Sequence, residues 1–415
     1  MQKLCLFFIF FLCVSLTLIA DGVQPTGSGT ESDPYQVATL DNLLWISTNP
    51  ESWDKFFIQI ENIDATDTQN WNNGSGFFPI GNYIEYNHPD NNPFVGNYDG
   101  QEYTIESLYI NRSSEKGIGF FGYTNNAIID NLVLNEFEIY GYRHVGSLVG
   151  LCLEYTVVNN CNVYGLIGDI NNFVDFGGLI GLLETSTVSN SFSIVTVIGG
   201  GQVGGLIGQA SGSLIQNCFS NGDVELTEEP HSGGLIGVIS NSILLNCYSS
   251  CNVNVNSTNV GGLVGSNYYN TNISNCYSVG YVNTTGNNAG GLVGYDYDHT
   301  SIVSNSFWDI ETSGQITSSG GTGKTTIEMK DVATYTSLET IGLEEPWDFI
   351  GNPFDDNGNE DYWDINDEIN NGYPYLVDVT TGIEGEEINL ISDVLKLIGN
   401  YPNPFNPKTT ISFRL

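Results

Sequence analysis

Carboxylate side chains are the groups in this sequence that could do chemistry, because a glycoside hydrolase can work with a pair of them. The two carboxyl groups of such an enzyme lie about 5 to 9.5 Å apart. The candidates here occupy separate stretches with no shared sequence context: Asp169, Asp175, Asp223, Asp296 and Asp298. We expect scattered, solvated acids, and polysaccharide hydrolysis remains the alternative function.

Other catalytic arrangements fit the sequence less well. The four histidines stand apart, and neither His-Glu-x-x-His nor Gly-x-Ser-x-Gly occurs. A polysaccharide lyase needs cations against uronate carboxylates, whereas no Lys or Arg lies between His144 and Gly323. The sequence therefore predicts a protein that is not an enzyme and has no catalytic, cofactor-binding or metal-binding residues. The histidines are His88, His144, His231 and His299.

Two further stretches look like ligand-binding loops but depart from the required patterns. Residues 320–325 resemble a phosphate-binding loop, yet Ser318 stands where that loop needs its first glycine, so we expect a solvent-exposed turn. Residues 355–361 are rich in Asp and Asn, but Glu360 replaces the glycine that a calcium loop needs. We expect an acidic surface loop with weak calcium binding or none.

Two clusters of aromatic residues, 268–269 and 295–297, follow closely after glycine-rich blocks. Tyrosine rings beside acids and amides suit stacking on a sugar or contact with a protein, although tyrosine is also an ordinary strand residue. The expected partner is an extracellular glycan or protein. Nucleic acid and anionic membranes are excluded, because the net charge is −38 and the central 178 residues, 145–322, lack the cations that phosphates require.

Export is indicated at the N-terminus. Residues 1–20 combine a basic start with an apolar middle, as secretory signals do, and we expect cleavage near Ala20. No other stretch of the chain is apolar enough to span a bilayer.

The fold class follows from composition and internal repeats. Across 415 residues there are 49 glycines and only 14% charged residues, which predicts an all-β protein. A Gly-Gly-Leu-Ile-Gly-like block recurs at spacings of 28, 31, 27, 29, 28 and 29 residues. Its seven copies occupy 117–122, 145–150, 176–181, 203–208, 232–237, 260–265 and 289–294.

A second block, headed by asparagine, follows each glycine-rich block, so every repeat carries two short strand-like segments. Such a unit cannot bury its own apolar face and must stack on its neighbours. We predict a right-handed parallel β-helix of about seven coils, roughly 34 Å long at about 4.8 Å per coil. The asparagines are Asn131, Asn160, Asn190, Asn217, Asn246, Asn275 and Asn305.

Each position of the repeat has an expected structural role. The Leu or the Ile of the block points inward, and the glycines allow tight corners, positive φ and close approach of the next coil. The asparagines form a ladder of side-chain amides. One slot holds Cys161, Cys218, Cys247 and Cys276, and elsewhere Ser191 and Ser306. A slot that accepts Cys or Ser predicts small buried side chains, whereas Cys152 and Cys251 could be free or paired.

These blocks resemble the GLUG motif, which occurs in tandem in bacterial cell-surface and adhesin-like proteins. The resemblance covers residues 117–309, and the first two copies depart from it at Phe120 and Ser147. It implies a surface or secreted protein of adhesin-like or structural kind. A passive spacer for a missing partner domain is a further alternative.

Flanking segments complete the predicted organisation. Residues 21–116 form an N-terminal cap and first coil, with a helix at Leu40–Thr48 and strands within 94–100 and 103–110. Residues 311–390 form a C-terminal cap. Residues 391–415 resemble the opening of the sorting domain recognised by the type IX secretion system, which implies that machinery as a partner and the outer membrane as the route. Because that domain needs more strands, we expect a fragment or a broken signal.

Overall fold

The computed structural model describes residues 22–168, 174–226, 230–351, 361–377 and 379. The predicted signal, Asp169, residues 355–360 of the calcium-like loop and the predicted sorting segment lie outside these residues. Within them, the chain winds into a solenoid of parallel strands that stack as three sheets. The all-β solenoid prediction is confirmed.

Sheet 1 contains ten strands in the described part of the chain, and each pairs in parallel with the next coil. In stacking order they are β1 (Tyr35–Val37), β2 (Phe56–Gln59), β4 (Asn97–Asp99), β8 (Ile128–Asp130), β11 (Val157–Asn159), β15 (Thr187–Ser189), β19 (Leu214–Gln216), β23 (Ile243–Leu245), β28 (Asn272–Ser274) and β33 (Ile302–Ser304).

Sheet 2 contains the strands that leave the glycine-rich blocks, again all parallel among the described residues. They are β7 (Phe121–Asn125), β10 (Val149–Leu153), β14 (Ile180–Glu184), β18 (Ile207–Ser211), β22 (Ile236–Ser240), β27 (Val264–Tyr268) and β32 (Val293–Asp296).

Sheet 3 is the longest side of the solenoid and takes one or two strands from most coils. They are β3 (Ile63–Asp64), β5 (Thr104–Glu106), β6 (Tyr109–Ile118), β9 (Val133–Gly146), β12 (Asn162–Gly168), β13 (Val174–Gly177), β16 (Phe192–Gly199), β17 (Gly201–Gly204), β20 (Phe219–Leu226), β21 (Ser232–Gly233), β24 (Tyr248–Ser249), β25 (Asn252–Val255), β26 (Val260–Gly261), β29 (Tyr277–Ser278), β30 (Val282–Asn283), β31 (Ala289–Gly290), β34 (Phe307–Asp309) and β35 (Thr322–Lys324).

The structure has three sides per coil, whereas the sequence pattern predicted two strand segments per repeat. The two predicted segments begin sheet 2 and sheet 3, as Ile207 does in β18 and Phe219 does in β20. The side that was missed is sheet 1, whose strands end just before the asparagine, such as Leu214–Gln216 before Asn217. Sheet 3 also extends further than predicted, because the stretches after its first residues differ in sequence and length from coil to coil, although their backbones stack in register.

The block buries both of its aliphatic residues. Leu206 and Ile207, like their counterparts in the neighbouring coils, are fully buried in one continuous core. The chain turns from sheet 3 into sheet 2 between them, so Leu fills the corner and Ile begins the next side. Since sequence alone left Leu or Ile as the inward residue, the structure resolves the choice as both.

The block glycines are required by close approach, as predicted, but not by positive φ. A Cβ on Gly205 would lie 2.1 Å from the carbonyl oxygen of Gly234 in the next coil, and one on Gly208 would lie 2.6 Å from the backbone nitrogen of Phe176 in the preceding coil. Neither glycine has a positive φ. That part of the prediction was wrong for these residues, because the left-handed conformation falls on other residues of the coil.

The recurring asparagines take the left-handed conformation, with φ between 47° and 54°, which asparagine tolerates better than most residues. Asn217 Nδ2 donates to Asn190 Oδ1 at 3.0 Å, and Asn246 Nδ2 donates to Asn217 Oδ1 at 3.2 Å. The amide ladder is confirmed between Asn131 and Asn246, with a shift of one residue where Asn190 donates to Asn159 instead of Asn160. At the last coil, Asn305 Oδ1 accepts from the backbone nitrogens of residues 344 and 345. We call these seven asparagines the asparagine row.

The cysteine slot faces the core, as predicted. Its four cysteines are fully buried and free, as are Cys152 and Cys251. Burial raises the pKa of the Cys161 and Cys251 thiols to about 12. These thiols therefore act as small apolar side chains.

Both flanks pack on the solenoid. The predicted helix is confirmed as α1 (Leu40–Thr48), with Thr39 as its N-cap in a capping box, and β1 and β2 add to sheet 1 ahead of β4. After the last coil, the chain contributes α2 (Thr326–Met329), α3 (Ala333–Thr336) and the antiparallel pair β36 (Trp363–Asp364) and β37 (Tyr375–Leu376). Short 3₁₀ segments lie at Pro50–Ser52, Thr66–Gly74 and Asn370–Gly372.

The C-terminal segment covers a row of stacked rings on the outer face of sheet 3. Phe192, Phe219, Tyr248 and Tyr277 stack at centroid distances of 4.6 to 4.9 Å. Residues of the stretches 329–349 and 363–376, together with Val379, form a second hydrophobic core over these rings. Sequence patterns gave no indication that this row would need a cover.

The stretch 320–325 is not the solvent-exposed turn that we predicted. Its centre forms β35, which pairs in parallel with β34, and the Lys324 side chain is buried with Nζ 5.5 Å from the centroid of the Phe307 ring. Ser318 Oγ receives hydrogen bonds from the backbone of Leu292 and Val293. The segment closes the exposed ends of sheets 2 and 3, which explains why it is ordered.

Candidate functional site

A second row of left-handed residues lies just before the corner where sheet 3 turns into sheet 2. Six members occupy the position just before a block, Gly117 is the first residue of its block, and φ is between 54° and 77°. We call it the variable row, because its residue type changes along the rod. Its members are Gly117, His144, Asp175, Gln202, His231, Asn259 and Asn288.

Towards the N-terminal end, the variable row contains a buried ion pair. His144 Nδ1 lies 2.7 Å from Asp175 Oδ2, in ion-pair contact but out of line for a hydrogen bond, and Arg143 Nε lies 3.7 Å from the same oxygen. The Asp175 side chain is only 1% exposed. A buried carboxylate is costly unless it is paired, and His144 and Arg143 are the basic side chains beside it.

Two tyrosines lie beside this pair. The Tyr83 ring meets the His144 ring edge-on at 6.0 Å and the Tyr123 ring at 5.7 Å. Both tyrosines are partly exposed. We call Tyr83, Tyr123 and His144 the N-terminal cluster.

Towards the C-terminal end, four tyrosines gather on the outside of the last coils. The Tyr297 ring stacks on Tyr268 at 4.9 Å and meets Tyr269 and Tyr295 edge-on at 5.9 and 6.3 Å. Tyr269 and Tyr297 are 46% and 51% exposed, so their ring faces are open to solvent. We call Tyr268, Tyr269, Tyr295 and Tyr297 the tyrosine patch.

Two carboxylates belong to the same loop as the patch. Asp296 Oδ2 lies 3.3 Å from His299 Nδ1, and the Asp298 carboxylate accepts hydrogen bonds from the backbone nitrogen and the hydroxyl of Thr300 at 3.2 and 2.8 Å. Slight burial opposes ionisation of Asp298, but the Thr300 hydrogen bonds outweigh it and lower its pKa. The patch therefore offers an ionised hydrogen-bond acceptor, Asp298, next to aromatic faces.

The variable row reaches the patch through His231. Its ring meets Tyr268 at 6.0 Å, and Nδ1 lies 2.6 Å from Ser266 Oγ. Burial lowers the pKa of His231 and raises that of Tyr268. Both side chains are therefore neutral at pH 7, since each shift favours the neutral form.

The structure groups the sequence candidates differently from our expectation of scattered, solvated acids. Asp175 is buried against His144, so that expectation was wrong for this residue. Asp223 lies on sheet 3 and accepts a 3.0 Å hydrogen bond from Asn252 Nδ2, whereas Asp296 and Asp298 lie at the tyrosine patch. Of the histidines, His144 and His231 share the variable row, although the sequence shows them 87 residues apart.

Sequence reasoning missed the variable row itself. The signal was present, because one polar residue or glycine precedes each block, but its identity changes and we aligned only the constant positions. Among the described residues, no group of three or more His, Cys, Asp or Glu side chains could hold a metal ion, and no helix there is long and apolar enough to cross a membrane.

Comparison with known proteins supports the repeat assignment. The GLUG motif family model matches residues 199–225 and 256–284. Halomucin of Haloquadratum walsbyi is 33% identical over 165 residues, which is 36% of this chain and 2% of halomucin. A protein of Evansella cellulosilytica named "Putative Gly-rich membrane protein" is 29% identical over 215 residues, which is 50% of this chain and 23% of that protein. The chain thus spans only a small part of either relative.

A solved structure shares the fold. The Bacteroides ovatus protein titled "putative immunoglobulin A1 protease" superposes with a TM-score of 0.50 at 17% identity, covering 85% of this chain and 94% of that one. At this identity the likeness concerns the fold alone. The chain therefore carries GLUG repeats, folded as a parallel β-solenoid.

Proposed function

We propose that this chain is a cell-surface or secreted adhesin-like repeat protein that binds an extracellular glycan at the tyrosine patch without cleaving it. The observation that carries the proposal is the exposed group of four tyrosine rings beside Asp296 and Asp298. Open aromatic faces stack on the apolar faces of sugar rings, and the carboxylates accept hydrogen bonds from sugar hydroxyls.

The negative charge of the protein limits the classes of ligand that it can bind. No Lys or Arg lies between His144 and Gly323, and the patch carries carboxylates. A polyanion would be repelled, whereas an uncharged polymer would not. We therefore favour a neutral glycan over an acidic one and over nucleic acid.

Surface location is supported by the relatives, one a halomucin and the other named a membrane protein. The proposal includes an export route, with residues 1–20 as the secretion signal and residues 391–415 as part of a type IX sorting signal. Cell fractionation of the expressing organism, with N-terminal sequencing of the mature chain, tests this route. Retention of the protein in the cytoplasm with residue 2 still present would contradict it.

The ligand-binding part is tested on the full chain with an array of neutral and acidic polysaccharides, read in parallel for bound protein and for new reducing ends. We expect saturable binding to neutral glycans and no new ends. Failure to bind any glycan on the array would contradict the proposal and favour a passive spacer.

A polysaccharide hydrolase is the second candidate, because Asp296 and Asp298 lie beside rings that could hold a sugar. If reducing ends appear, Asp296→Asn is compared with Asp223→Asn, a carboxylate on a different face of the rod. Cleavage lost only in Asp296→Asn would establish the hydrolase and overturn the non-catalytic assignment.

A further inference from the structure

The register of sheet 2 aligns the two aromatic clusters along the rod. Tyr123 of β7 and Tyr295 of β32 stand in one column of paired residues. Six coil-to-coil steps of about 4.8 Å separate them, or about 29 Å. The complete column is Tyr123, Leu151, Leu182, Gln209, Val238, Ser266 and Tyr295.

The two ends of this column are built alike. At each end a tyrosine on or beside sheet 2 meets a histidine of the variable row at 6.0 Å: Tyr83 with His144, and Tyr268 with His231. Tyr83 also lines a cleft of about 400 Å³ whose walls include Phe78 and Glu115. Aromatic rings therefore lie at both ends of one face. We call the N-terminal cluster and the tyrosine patch the two aromatic platforms.

The face between the platforms is almost free of charge. The neighbouring column on sheet 2 runs through Asn125, Leu153, Glu184, Ser211, Ser240 and Tyr268. Glu184 is the single charged residue in the two columns. Leu151, Val238 and Ser266 of the first column are buried, so the accessible part of the face consists of partly exposed side chains such as Leu182, Gln209 and Ser211. Hydroxyls, amides and aliphatic groups of this kind suit the alternating polar and apolar edges of an uncharged sugar chain.

We propose that a long, linear, neutral glycan lies along sheet 2 and contacts the tyrosine patch and the N-terminal cluster at the same time. This inference rests on the proposed function, but it makes a claim of its own. A glycan long enough to span about 29 Å contacts both aromatic clusters at once. Because the first contact already holds the glycan on the protein, the second contact costs no further translational entropy.

The test is a length series. Cello-oligosaccharides and malto-oligosaccharides, from trimers to octamers, are titrated calorimetrically against the full chain. Affinity in the preferred series rises until the chain reaches both platforms and then levels off. Tyr83→Ala weakens octamer binding by about tenfold and leaves trimer binding unchanged, whereas Tyr297→Ala weakens both.

Two control variants test whether the loss of affinity is specific to the aromatic rings of the two clusters. Tyr155→Ala removes a 70% exposed ring that belongs to neither platform, and it leaves every affinity unchanged. Tyr83→Phe retains the ring and retains octamer binding. Trimer binding with no gain from length, or no effect of Tyr83→Ala on the octamer, overturns the extended site but leaves the proposed function standing. Absence of binding in both series overturns the extended site for these neutral chains, while the polysaccharide array decides the proposed function separately.

Discussion

The asparagine row and the variable row both require a left-handed backbone conformation, but they differ in sequence. Both consist of one left-handed residue per coil. From Asn160 to Asn246, each amide of the asparagine row donates to an amide of the coil before it, so a change at Asn217 would break two contacts. In the variable row, side-chain contacts from coil to coil join Asn288, Asn259 and His231, but the residue type changes along the rod and two members lie against partly exposed tyrosines. Stacking explains the first row, whereas the second row also has side chains placed for recognition.

The largest effect is expected from a substitution that removes the ion pair in the variable row. His144→Ala leaves the Asp175 carboxylate buried with Arg143 as its remaining partner, and we expect a loss of about 3 to 5 kcal/mol in the free energy of unfolding. Urea unfolding followed by circular dichroism measures it.

The substitution His144→Asn sharpens that result. Asparagine tolerates the left-handed backbone and can donate to Asp175, so it should recover part of the loss. His88→Ala is the control, since His88 lies in a loop 3.9 Å from an exposed Asp90 carboxylate, and it should change stability by less than about 0.5 kcal/mol. A loss from His144→Ala no greater than that of the control would show that the pair is not needed for folding.

The next effect compares matched positions in the two rows. Asn217→Ala removes one donated and one accepted amide bond and places alanine at φ 53°, so we expect a loss of about 2 to 3 kcal/mol. Gln202→Ala also places alanine in a left-handed conformation, at φ 54°. In the wild type, the Gln202 side-chain oxygen is buried without a hydrogen-bond partner among the described residues, so the substitution breaks no hydrogen bond of that oxygen. The loss should be about 1 kcal/mol.

Thermal and urea unfolding of both variants test this difference between the rows. Asn217→Gly, which relieves the backbone strain but not the lost hydrogen bonds, separates the two contributions. Equal losses for Asn217→Ala and Gln202→Ala would remove the distinction between a stacking row and a recognition row.

The effect that is smallest at neutral pH concerns the cysteine slot, because it develops only in alkaline solution. Burial raises the pKa of Cys161 to about 12, while an unfolded thiol ionises near about 8.5. The folded state keeps its proton, so this contribution is complete below pH about 8.5 and is lost as pH rises from there towards 12, by up to about 1.4 kcal/mol per pH unit.

Cys161→Ser isolates this contribution, because serine already occupies the slot at Ser191 and Ser306. The stability of the wild type relative to Cys161→Ser should fall between pH 8 and pH 10. A constant difference over that range would mean that the thiol is not held neutral by the core.

Sequence patterns predicted the parts of the fold that repeat with constant chemistry. The blocks, the buried slot at Cys218, the ladder through Asn217 and the capped helix at Leu40–Thr48 all depend on local sequence and spacing. Sheet 1, the extension of sheet 3 and the cover over Tyr248 were missed, since their residues vary between coils and their contacts join positions far apart in sequence. The pairing of His144 with Asp175 was missed for the same reason: only the stacking of coils brings residue 175 beside residue 144.

The tyrosine patch was predicted only in part. The sequence singled out its tyrosines and both of its carboxylates, but it could not show that Tyr268 and Tyr297, from successive coils, stack at 4.9 Å. Nor could it show that sheet 2 aligns Tyr295 of the same patch with Tyr123. Spatial proximity, and not residue type, distinguishes these rings from ordinary strand residues.

The most direct test of the account is the dissociation constant of the full chain for the best neutral glycan on the array, compared between the wild type, Tyr297→Ala and Tyr155→Ala. Recognition at the tyrosine patch predicts a loss of about tenfold or more for Tyr297→Ala and an unchanged constant for Tyr155→Ala. Equal affinity of all three proteins would place the binding site elsewhere and contradict the central claim.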